Sequence, residues 1–179
     1  SVDVFEKGKS DQGMIKAGVS GDQLAWFRQV LDQHPDVDHR IVLGHTPILG
    51  PVRKWSTSGL MIEEGRESEF WQTMKAYEVD AYLCGEVHAI TCTERDGIMQ
   101  MAHGGLIGYN TRTNYMVVKV SKDKIDLEIK EIEMLPSGNH LWQTGNNRPL
   151  EMVSITEANK SIGFYPVGIA TINKTNGKQ

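Results

Sequence analysis

Two apolar runs, each closed by a glycine with a histidine beyond it, constrain this 179-residue chain more than anything else in it. The first is IVLGHTP, where Ile41, Val42 and Leu43 precede Gly44 and His45. The second is YLCGEVHAI, residues 82 to 90, where Gly85 is followed by Glu86 and His88. Continuous apolar runs of this kind fit strands buried on both faces, as in a parallel sheet. Two helices are predicted around them. SGDQLAWFRQVLDQH repeats Leu24, Phe27 and Leu31 at helical spacing, and RESEFWQTMKAY does so with Phe70, Met74 and Tyr77. Ser20 with Gln23 makes a capping box for the first helix, and Pro35 stops it. VDVFE (residues 2–6) reads as a leading strand and KGKSDQGMIKAG as a loop. Strand, helix, strand, helix, strand predicts an α/β sheet.

After residue 90 the pattern changes. Asp96-Gly97 lies between two strand-like runs and signals a hairpin. YMVVKV and KIDLEIKEIE, joined by SKDK, predict a second hairpin, because Ile125, Leu127 and Ile129 alternate with charges. Beyond Met134 two more strand-like runs, LEMVSIT and IGFYPVGIATI, stand in sequence rich in Asn and Gly. The expected division is therefore residues 1–133 as one α/β body and residues 134–179 as a β-rich extension. A hydrophobic content of 39% is enough for a real core. The net charge of −4 without a basic run points away from nucleic acid and anionic membranes. No run of 18 apolar residues marks a membrane span. Cys84 and Cys92 read as two buried thiols in predicted strands, with a bridge between neighbouring strands as the alternative. SVDVFEKGK is not a signal peptide and reads as the middle of a strand, so the chain is expected to be a fragment.

Sites in open α/β sheets form beyond the carboxyl ends of strands. If the two glycine-closed strands are neighbours, His45, Glu86 and His88 share one edge. Imidazole and carboxylate together suit Zn, Fe or Mn. Either histidine alone would be a polar loop residue; the matched pair of endings predicts a metal site. His103, in MAHGGL, is placed at the same edge as a weaker candidate. His34, His39 and His140 read as surface or capping residues. The long connection 46–65 carries Arg53, Lys54 and Trp55. These could hold a phosphate or stack on a substrate ring, or the segment could be a solvated loop with a half-buried Trp. Tyr109, Asn110 and Arg112 could likewise face a substrate or form a polar turn. Trp26, Phe27, Phe70 and Trp71 are expected in the core.

In order and spacing, SGDQLAWFRQVLDQHPDVDHRIVLGHTPIL followed by VDAYLCGEVHAITCTERDG resembles the C-terminal half of the calcineurin-like metallophosphoesterases, a superfamily that includes purple acid phosphatases and phosphodiesterases. The resemblance covers roughly residues 18 to 133. It rests on a Q-L-x-W-type helix, a G-H-x-P turn, and a turn in the position of the family's G-H-x-H. It implies the C-terminal half of a four-layer αββα sandwich, a mixed sheet followed by antiparallel hairpins, and hydrolysis of a phosphate mono- or diester. It implies two divalent or trivalent ions (Mn, Fe or Zn), with His45 on the second metal and His88 on the first. Glu86 stands where the family has a histidine. As a ligand it would bring a hard anionic oxygen; otherwise it marks an altered site. The family's D-x-H, G-D-x-x-D and G-N-H-D/E motifs are absent from the 179 residues, and Gly21-Asp22 belongs to the helix cap. The chain is thus expected to hold part of a two-metal site, to be inactive alone, and to need an N-terminal half or a partner chain. The competing reading is a degenerate, non-catalytic domain that binds or assembles. The compartment is open, with export one option.

Overall fold

The computed structural model describes residues 1–10, 13–52, 57–104, 112–136, 153–155 and 163–174. Arg53, Lys54, Trp55, Tyr109, Asn110 and His140 lie outside them. The chain divides into two compact units, Ser1–His103 with Lys174–Gln179, and Gly104–Asn173.

The first unit contains strands β1 (Phe5–Ser10) and β2 (Gly13–Ala17), helix α1 (Gly21–Gln33), β3 (Ile41–Leu43), helix α2 (Glu69–Ala76), β4 (Ala81–Cys84), β5 (Thr91–Arg95) and β6 (Ile98–Ala102). A short 3-10 helix, Gly65–Glu67, leads into α2. Its main sheet has the order β3-β4-β6-β5. β3, β4 and β6 run parallel, and β5 returns antiparallel to β6. This is the mixed α/β sheet that the alternation of elements predicts. Asp96 (φ 55°) and Gly97 (φ 80°) form the two-residue turn between β5 and β6.

The helices pack through aromatic rings. Phe70 stands edge-on to both Phe27 (5.4 Å between centroids) and Tyr82 (5.8 Å), linking α1, α2 and β4. Each such pair contributes about 1 kcal/mol beyond the area it buries. Arg28 of α1 donates to Thr73 and Glu69 of α2, and Tyr77 donates to Asp32. Leu24, Phe27 and Leu31 are buried as expected. Trp26, expected in the core, is 45% exposed. Two residues along a helix is about 200° of rotation, so Trp26 lies opposite the face that Leu24 buries.

Other expectations change too. The polar segment read as a loop is the β1–β2 hairpin, with residues 2–4 ahead of it and outside any strand. Both its faces carry polar residues, so no apolar alternation announced it. The register pairs Glu6 with Lys16, which form an ion pair at 3.3 Å. Ser20 is the N-cap of α1, yet its side chain caps nothing. It bonds Glu6 instead. Partial burial works to raise the Glu6 carboxyl pKa, but bonds from Ser20 and Lys16 outweigh it and hold the group below the usual range. β3 is not buried on both faces, because it ends the sheet order and Leu43 is 45% exposed. Cys84 is buried, and burial pushes its thiol up to about 12. Cys92, on the terminal strand β5, is exposed rather than buried. The His39 side chain is largely buried, 3.6 Å from Asp80, and is not a surface group.

The second unit is antiparallel. β7 (Arg112–Ser121) and β10 (Tyr165–Asn173) flank β8 (Lys124–Pro136), and β9 (Val153–Ile155) pairs with the end of β8. Ile125, Leu127 and Ile129 are buried while the alternating Asp126, Glu128 and Lys130 pair with lysines, a threonine or each other. That is the half-wet hairpin the sequence predicts. Among the described residues no helix is long and apolar enough to cross a membrane.

Candidate metal centre

Because β3, β4 and β6 are parallel and adjacent, their carboxyl ends share one edge. His45 follows β3, Glu86 and His88 follow β4, and His103 follows β6. Leu43 is level with Leu83, and Cys84 with Ala102.

The two glycines bring the turns together by leaving room. A β-carbon on Gly85 would lie 3.4 Å from the His45 ring. One on Gly44 would strike the Tyr82 hydroxyl and come within 2.9 Å of Val4. Neither glycine has a left-handed φ; the need is for close approach. The strained backbone lies just beyond, where Glu86 (φ 62°) and His88 (φ 51°) both occupy the left-handed region. Such positions in non-glycine residues cost of order 1–3 kcal/mol and concentrate at functional sites.

The His45 turn is held by its neighbours. Gly44 donates to the Leu83 carbonyl, Gly85 donates to the His45 carbonyl at 2.8 Å, and the Tyr82 hydroxyl donates to the Thr46 carbonyl at 2.7 Å. Gln100 of β6, 2% exposed, accepts from Ile48 and Leu49 N–H and donates to the Leu49 carbonyl, each at 2.8 Å. Burial and the nearby Cys84 drive the Tyr82 phenol pKa far upward, so its hydroxyl stays a donor.

His45 and Glu86 meet. His45 Nε2 is 2.9 Å from Glu86 Oε2, with the imidazole half-exposed and the carboxylate nearly buried. Phe5 packs on the His45 ring, 5.7 Å between centroids. The other Glu86 oxygen, Oε1, accepts from the backbone N–H of Ser58 at 3.0 Å and from its hydroxyl. His88 is half-buried on the same turn. Among the described residues no three His, Cys, Asp or Glu side chains are grouped so as to hold a metal ion. The donor types are nonetheless ones that suit a divalent cation, an imidazole nitrogen beside a carboxylate oxygen. The Nδ1 of His103 and the hydroxyl of Thr46 are buried without a hydrogen-bond partner. Arg112 opens β7, in the second unit. Two residues that sequence reasoning missed shape this region, Gln100 and Ser58. Gln100 announced itself faintly, as the one polar residue inside the apolar run IMQMA; nothing marked Ser58.

No family model matches the chain, and no curated protein matches it. Solved structures do. A dimetal phosphatase from Danio rerio superposes with a TM-score of 0.50 at 13% identity, over 94% of this chain and 44% of that one. GAP50, the anchor in the inner membrane complex of Plasmodium, superposes with a TM-score of 0.47 at 14% identity, over 97% of this chain and 54% of that one. The chain thus spans about half the length of the structures it matches. Its fold is a partial metallophosphoesterase-like fold, with mixed and antiparallel sheets and few helices.

Proposed function

We propose that this chain is part of a metal-dependent phosphoesterase of the calcineurin-like superfamily, acting on a phosphate mono- or diester. The observation that carries the proposal is the convergence of His45 Nε2 and Glu86 Oε2 at the carboxyl edge of parallel strands. The fold shared with a dimetal phosphatase supports it. In this reading His45, Glu86 and His88 belong to a site for two Mn, Fe or Zn ions. When bound, such a pair supplies Lewis-acid stabilisation of the phosphoryl oxygens and an activated water. The anionic Glu86 biases the site toward the harder ions. Gly44 and Gly85 let the two turns close on each other. His103, which follows β6 in the same unit, is proposed to face the substrate. The remaining ligands would come from a preceding segment or a partner chain.

The test is elemental analysis of the longest native polypeptide carrying this chain, with hydrolysis of p-nitrophenyl phosphate and bis(p-nitrophenyl) phosphate. Two equivalents of metal, reduced by His88→Ala together with hydrolysis, are expected; a metal-free, inactive polypeptide overturns the proposal. That outcome would favour a non-catalytic binding or assembly domain, a reading supported by the lack of a three-donor group among the described residues.

A further inference from the structure

We infer that Ser58 is a positioning residue for the candidate metal centre. It aims Glu86 so that one chosen carboxylate oxygen faces His45. This rests on the reading of His45 and Glu86 as ligands. A carboxylate offers about four lone-pair positions, two on each oxygen. Ser58 takes both on Oε1, one with its backbone N–H and one with its hydroxyl. The hydroxyl is itself oriented, because it accepts from the Leu60 N–H at 3.2 Å and so turns its proton away from that bond. Oε2 is left as the oxygen with free capacity, and it is the one beside His45 Nε2.

The spacing suits a shared cation. Adjacent ligands at right angles on an octahedral ion with bonds of about 2.1 Å lie about 3 Å apart. Nε2 and Oε2 are already 2.9 Å apart. The two donor atoms therefore stand within reach of a single cation. Ser58 holds this arrangement from a different stretch of chain, the long connection that starts at the His45 turn. Outer groups that fix a ligand in this way typically change metal affinity by about 10–100-fold when removed.

The experiment is isothermal titration calorimetry of the longest native polypeptide carrying this chain with MnCl2, for wild type, Ser58→Ala and Ser58→Thr, each with a thermal melt in the absence of metal. Ser58→Ala should bind Mn2+ about tenfold more weakly at unchanged stoichiometry, whereas Ser58→Thr, which keeps the hydroxyl, should match wild type. A purely structural role would lower the metal-free melting temperature of Ser58→Ala and leave the affinity alone. Equal affinity in wild type and Ser58→Ala overturns this inference and leaves the proposed site standing. Equal weakening in the Ala and Thr variants also overturns it. No Mn2+ binding by wild type removes the ligand reading and this inference with it.

Discussion

The turn after β3 and the turn after β4 both begin with a close-packed glycine and present one chemical group at the sheet edge, but they are held differently. Residues 44–49 are pinned by Tyr82 on β4, Gly85 just beyond it and Gln100 on β6. Residues 85–88 are held mainly at Glu86, and two of the four adopt left-handed backbone. The first turn is held by buried neutral donors and acceptors from the neighbouring strands. The second keeps its shape against local preference, the pattern expected where geometry serves a ligand rather than stability.

The contrast can be broken in three places. Gln100→Leu should have the largest effect. It strands the N–H groups of Ile48 and Leu49 and the Leu49 carbonyl in a buried setting, at a cost of about 3 kcal/mol or more. Urea denaturation measures it, and a loss well under 1 kcal/mol would mean the His45 turn is held by something else. His88→Gly should move the other way. Relieving its left-handed φ should stabilise the metal-free chain by about 1 kcal/mol. A destabilised glycine variant would show that the imidazole packing outweighs the backbone strain.

The smallest effect concerns the far end of the connection that leaves the first turn. Asp96 accepts from Trp71 Nε1 at 2.9 Å and from Arg66, and these partners hold its carboxyl below its ordinary value of 3.8. A lowered folded value means the contribution is complete above pH 3.8 and is lost as pH falls through the lowered value. Asp96→Asn should therefore cost stability at pH 7 and less at pH 3, read as urea midpoints. An equal cost at both pH values would show that the carboxylate charge plays no part.

Much of this fold was legible in sequence because burial repeats at a fixed period. Leu24, Phe27 and Leu31 on α1, Asp96-Gly97 at a hairpin turn, and Ile125, Leu127 and Ile129 on β8 all obey local rules. The convergence of His45 and Glu86 was legible only as far as matched strand endings allowed. What stayed hidden depends on tertiary neighbours. Leu43 is exposed because its strand lies at the end of the sheet order, and Cys92 because β5 does. Ser20 follows the capping pattern but finds Glu6 on a hairpin that its own sequence does not announce. Gln100 and Ser58 act on residues 52 and 28 positions away, and no periodicity records such a bond.

These separations also govern the order in which the molecule can form. The β5–β6 hairpin closes a two-residue turn, whereas His45 and Glu86 are 41 positions apart. Closing a longer loop costs more entropy before any contact is gained, so the sheet edge where His45 meets Glu86 is the late step. During synthesis at about 5–20 residues per second, His45 would wait about 2–8 s before Glu86 is even polymerised. Through that interval the half-exposed Leu43 has no β4 beside it, and the nascent chain carries an unpaired apolar strand that a chaperone or a misplaced edge could capture.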